Sequence, residues 1–152
     1  MRKFLFILMA IVLVACSAAS TATEAPSEFE SAHQQWNEAD VSHYRFHLNL
    51  SCFCAFAENM PLVFEVQDGE VVSMEYQSGN EIDATNLEFF QQYATIDKIF
   101  EKLEKAVGGE ADQVTVTYDE TYGFPTQADI DFVEQAIDDE LYLTISNFEI
   151  LP

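Results

Sequence analysis

His43-Tyr44-Arg45-Phe46-His47-Leu48-Asn49-Leu50 alternates polar and apolar residues without a break. A period of two sets Tyr44, Phe46, Leu48 and Leu50 on one face of a strand, and His43, Arg45, His47 and Asn49 on the other. Such a strand belongs to an antiparallel sheet that is covered on one side and wet on the other. The same pattern recurs along the chain. Leu62, Phe64 and Val66 alternate, as do Val72, Met74 and Tyr76. Further on come Val114, Val116 and Tyr118, then Ala128, Ile130 and Phe132, with Gln127, Asp129 and Asp131 facing out. Leu141, Leu143 and Ile145 close the series.

Two helices stand among these strands. Ser27-Glu28-Phe29-Glu30 is a capping box, serine at the cap and glutamate three residues on. Phe29, Ala32, His33, Trp36 and Ala39 follow at helical spacing, which predicts a helix over about 28–40 with Trp36 as its core anchor. Thr95 caps a second helix, whose stripe is Ile96, Ile99, Phe100, Leu103 and Val107. Lys98, Lys102 and Lys105 lie off that stripe, and Gly108-Gly109 ends the helix. Residues 78–94 are ambiguous between a helical turn and a loop over the core. The fold expected is therefore α+β, in the order α-βββ-α-βββ. One antiparallel sheet of about six strands has one face covered by two helices.

Parity predicts the hairpin around Asp68-Gly69. Apolar residues at even positions on both arms call for a loop with an odd number of residues. Gln67-Asp68-Gly69 as a type I turn with a G1 bulge pairs Phe64 with Val72 and Leu62 with Met74.

The chain opens with a different kind of segment. Arg2 and Lys3 precede an apolar run from Phe4 to Val14, which Leu13-Val14-Ala15-Cys16 brings to an end. The run is short for a bilayer span, which needs about 20 apolar residues. The segment resembles a bacterial lipoprotein signal peptide. That resemblance implies cleavage after residue 15, lipid on Cys16 and an extracytoplasmic place in the cell envelope, with the bilayer as first partner. Residues 16–27 are small and polar and read as a flexible linker with a reach of at most roughly 35–40 Å. Residues 28–152 suit a single domain.

The 152-residue chain carries a formal charge of −21. Beyond the leader only Arg45, Lys98, Lys102 and Lys105 are basic, against 27 acidic residues. A surface so anionic repels nucleic acid, which is excluded as a partner.

Chemistry-bearing residues are few. With Cys16 assigned to lipid, Cys52 and Cys54 remain, and an oxidising compartment favours a disulfide between them. An ideal strand sets residues two apart at about 6.6 Å, so a kink after Leu50 is required. Free buried thiols, a redox-active pair and copper(I) binding are the alternatives. His43 and His47 share a face, but Arg45 lies between them and a third zinc ligand is lacking, so a solvated face is expected. Asp119, Glu120, Asp129 and Asp131 form the best acidic cluster and a candidate calcium site, although no EF-hand spacing is present. No nucleophile elbow, phosphate loop or metalloprotease motif occurs, which points to a non-enzymatic binding domain without a cofactor. An envelope protein is the expected partner, through the wet sheet face or the loops at 55–61 and 119–127.

Several pieces together resemble the bacterial lipoprotein-type "domain of unknown function 6174" family. They are Trp36, Tyr44-Arg45-Phe46, Cys52-Phe53-Cys54, Val66-Gln67-Asp68-Gly69 with Val71-Val72, and Thr95-Ile96 with Ile99-Phe100. Val116-Thr117-Tyr118-Asp119 followed by Tyr122-Gly123-Phe124-Pro125-Thr126 completes the set. Ala55 stands where proline is expected after the second cysteine. The resemblance spans roughly residues 36–148 and implies no activity and no catalytic residue.

Overall fold

The computed structural model describes residues 27–152; the leader, Cys16 and the linker before Ser27 lie outside the described residues. Helix α1 (Glu28–Ala39) leads into β1 (His43–Ser51), β2 (Leu62–Gln67) and β3 (Glu70–Tyr76). Helices α2 (Ala84–Phe90) and α3 (Ile96–Lys105) follow, then β4 (Gln113–Tyr118), β5 (Pro125–Asp131) and β6 (Leu141–Ile150). The six strands form one antiparallel sheet in the order β3-β2-β1-β6-β5-β4. The fold is α+β, with three helices where two were expected. Among the described residues no helix is long and apolar enough to cross a membrane.

The order of strands explains the position of the helices. β3 and β4 are the two outer strands, so the connection between them must traverse the whole sheet. It does so as α2 and α3, on the face where Phe46, Leu48, Leu62, Phe64 and Leu143 are buried. Ile96, Ile99, Phe100 and Leu103 of α3 enter the same core, as does Trp36 of α1. The ambiguous segment 78–94 folds as α2 because Asp83 caps it, accepting from the amides of Thr85 and Asn86 at 3.0 Å each. Phe90 and Tyr93 are thereby buried.

Two helix starts are built as the sequence leads one to expect. The Ser27–Glu30 capping box is closed in both directions, at 2.8 and 3.2 Å. Thr95 Oγ1 accepts from the Lys98 amide at 3.1 Å. The first amide of α3 then finds a partner outside the helix, because Ile96 N–H donates to the buried Tyr44 hydroxyl at 3.1 Å. Trp36 Nε1 donates to Asp97 Oδ1 at 3.1 Å, one residue further on. The Trp36 ring meets Tyr44, Phe124 and Phe148 edge-on.

Bulges, and not loop lengths alone, settle which residues face inward. Asp68 and Gly69 have φ of 52° and 80°, the paired positive values of a two-residue type I′ turn that sets Gln67 opposite Glu70. The expected three-residue loop is thus not what forms. Parity is restored farther along: Glu65 pairs with Ser73 and Val66 with Val71, so Val72 is the extra residue and is exposed. Phe64 consequently pairs with Met74 and Leu62 with Tyr76. A second bulge in β6 places Asn147 at φ 50° and turns Phe148 back onto the core. Val107, expected on the stripe of α3, is exposed because the chain widens into a turn over Ala106–Glu110, with Gly109 at φ 113°.

Of the glycines, Gly123 alone has close neighbours where a side chain would stand. Its φ is 79°, and an added Cβ would sit 2.4 Å from the Ala32 carbonyl oxygen and 2.9 Å from Gln35 Cβ. Gly79 has φ 78° but open space around it. Gly79→Ala should therefore cost about 1 kcal/mol from backbone conformation alone, and Gly123→Ala about 3 kcal/mol, measured by denaturant unfolding. Tyr44→Phe should cost about 1–3 kcal/mol because it orphans a buried amide. Equal losses at the two glycines would refute the close approach of the 119–124 loop to α1.

Candidate functional site

The wet face of the sheet is occupied by its own ions. Arg45 binds Glu65 at 2.6 Å on β2 and Glu149 at 2.9 Å on β6. His43 reaches Glu65 at 3.3 Å and the Pro152 carbonyl at 2.9 Å. Those contacts raise the imidazole pKa above its ordinary value, the Pro152 bond being the chief cause. His47 meets Asn147 and is not drawn toward His43. The ion pairs of this face were not part of the expectation of a solvated face.

The four acids proposed for calcium are not brought together. Asp119 is committed to its own loop, where its Oδ1 accepts from the amides of Thr121 at 2.9 Å and Tyr122 at 2.7 Å. The Glu120 carbonyl accepts from Gln35 Nε2 at 2.9 Å. Asp129 lies opposite Thr115 and Asp131 opposite Gln113. Asp119, just past the end of β4, is four steps along the chain from Thr115, about 13 Å at strand rise. Among the described residues no group of three or more histidines, cysteines or acids is placed to hold a metal. In the loop at 119–127 Gly123 abuts α1 and Phe124 is buried, while Glu120, Thr121 and Gln127 are exposed.

Cys52 and Cys54 do meet. β1 ends at Ser51, and Cys54 N–H donates to the Cys52 carbonyl at 2.8 Å, closing a three-residue turn. The Cα atoms are 5.1 Å apart and the sulfurs 1.90 Å apart, a bonded distance. This turn is the kink that the spacing requires. Behind it Phe56 is buried against Phe89 and Phe90.

At the tip of that turn Phe53 is 86% exposed. Across from it the segment after β5 carries Phe132, expected on the core face but 37% exposed, and Ile137, 85% exposed. Between the two runs a cleft of about 280 Å³. Its walls are the cysteine pair, Phe53, Phe89, Tyr93, Phe132 and Leu141, and its rim is Asp138, Asp139 and Glu140. Neither lysine nor arginine lines it. The thiol chemistry considered from the sequence needs a nearby cation to lower a cysteine pKa, and this surrounding is acidic. Alternation along the strand revealed the two cysteines. The same alternation, carried past Leu50, sets Phe53 on the outward side, and the turn closed by the cysteine pair carries it fully into solvent.

Glu140 also borders a second, acidic trough on the wet face with Asp129 and Asp131. The Asp131 carboxyl is held above the usual carboxylate range by burial, then by the charges of Asp139, Glu140 and Asp112. Both carboxylate oxygens of Asp139 are withdrawn from water without a hydrogen-bond partner.

If Asp119 serves its loop and not a metal, Asp119→Ala should lower stability by about 1–2 kcal/mol, equally in calcium and in chelator. A calcium-dependent rise in melting temperature that this substitution abolishes would restore the metal reading.

No curated protein and no solved structure matches this chain. The family described as "Family of unknown function (DUF6174)" matches over residues 28–150, from the first turn of α1 to the last residue of β6. The Trp36, Tyr44, Cys52–Cys54 and Gly123 constellation described above falls within that span, and the chain belongs to this family.

Proposed function

We propose that this protein is a bacterial envelope lipoprotein, held by lipid on Cys16, whose folded domain is a non-catalytic binding module. The leader, the cysteine at its end and the small polar linker support the address. The observation that supports binding is Phe53, an aromatic ring carried into solvent on a pinned turn and lining one cleft with Phe132. Exposing large apolar groups together is unfavourable in water and marks contact surfaces. The contact surface is therefore the cleft at the end of β1, and not the wet sheet face that the Arg45 ion pairs occupy.

Two measurements test this. Labelled fatty acid should be incorporated into the wild type and not into Cys16→Ala, which should leave the membrane fraction. A photo-crosslinking residue at position 53 should give a discrete adduct in intact cells, and one at Glu70 on the outer strand should not. Phe53→Ser should leave the melting temperature unchanged, because the ring is already in water. Absence of fatty acid, or equal crosslinking at both positions, would refute the proposal.

A further inference from the structure

The cleft combines two properties that select its occupant. Its floor is aromatic and apolar, and its rim is acidic. We infer that it takes a cationic apolar peptide segment of a partner protein, in which a lysine or arginine is flanked by aliphatic or aromatic residues. This rests on the reading of the cleft as the contact surface and names the chemistry of what enters it.

Charge complementarity carries the inference. Asp138, Asp139 and Glu140 stand together on one side of the cleft. Asp139 has no donor for either carboxylate oxygen, so its field is unneutralised by the protein itself. Asp131 registers that field from the neighbouring trough, its carboxyl being pushed up in part by Asp139 and Glu140. An arriving cation lowers the energy of that set, and the exposed faces of Phe53 and Phe132 add cation–π attraction. Lys102 does not fill the role: it borders the small neighbouring cavity that shares Tyr93, Phe132 and Leu141 with the cleft, but it is held by Gln92, lies 5.6 Å from the centre of Tyr93 and does not itself line the cleft.

Other occupants fit less well. An anionic membrane surface is repelled by the rim. A symmetric contact with a second copy sets rim against rim. At about 280 Å³ and open to solvent, the cleft is small for an enclosed metabolite site. A divalent cation would need three ligands at bonding distance, and no such group exists among the described residues.

The test uses the full-length protein in neutral detergent and fluorescent dodecapeptides of alternating Leu-Lys, Ser-Lys and Leu-Glu. Leu-Lys should bind, and Leu-Glu should not. Asp138→Asn combined with Glu140→Gln should weaken Leu-Lys binding about tenfold. Glu70→Gln combined with Glu75→Gln, on the distant outer strand, should leave it within about twofold. Asp138 has φ 70°, which asparagine tolerates, so the first pair should keep the wild-type melting temperature. Phe53→Ser should weaken Leu-Lys about tenfold and leave Ser-Lys unchanged. Equal losses from both acidic pairs would mean diffuse attraction to an anionic protein and would overturn the inference. So would millimolar calcium displacing the peptide and protecting the fold, or binding of Leu-Lys only after self-association. If Phe53→Ser abolishes binding of Leu-Lys and Leu-Glu alike, the cleft stands as the contact surface but its preference for cations fails. If neither Phe53→Ser nor the rim pair affects any peptide, the contact surface itself is misplaced.

Discussion

The start of α3 is where this fold is tied together. A helix begins with amides that have no partner within it, and burying one unpaired is costly. Here the Ile96 amide is met by the Tyr44 hydroxyl from the sheet, and Thr95 meets the Lys98 amide. Asp97 in turn accepts from Trp36 of α1. Two consecutive elements, α1 and β1, are thus joined to the distant α3 within two residues. Burial disfavours the charged phenolate and pushes the Tyr44 pKa up, which keeps the hydroxyl neutral. The aromatic groups around this point, Trp36, Tyr44, Phe124 and Phe148, contact one another edge-on, tilted or stacked. Phe148 takes its place there only because of the bulge at Asn147.

The opposite end of β1 has the reverse character. There the strand stops at a three-residue turn, a long segment follows β5, and apolar groups reach water. One strand therefore begins in the most tightly bonded part of the molecule and ends at its most exposed apolar part. The turn at that end is held from behind by Phe56, which is buried in the core, while Phe53 at its tip reaches water.

Much of this was legible in the sequence because the clues are local. Strand alternation depends only on the pleat, so Tyr44, Phe46, Leu48 and Leu50 declared their common face unaided. The capping box at Ser27 and the Thr95 cap are satisfied within one turn of chain. What misled the reading was parity. Parity assumes that strands run without insertions, and Val72 and Asn147 break that assumption at sites no local pattern marks. Charge clustering misled in another way. Asp119 and Asp129 are close in sequence and both acidic, yet the register of β4 against β5 holds them apart.

By itself the sequence determined the α+β class, the inward faces of the strands, the caps of α1 and α3, the anionic surface and the cysteine pair. Each depends on interactions a few residues long. Tertiary structure alone decided the order β3-β2-β1-β6-β5-β4, the passage of α2 and α3 across the sheet, the pressure of Gly123 on α1, and the meeting of Phe53 with the acidic rim at 138–140. Those depend on contacts between segments tens of residues apart, whose partners are chosen by the closing of one shared core and leave no periodic trace in either segment.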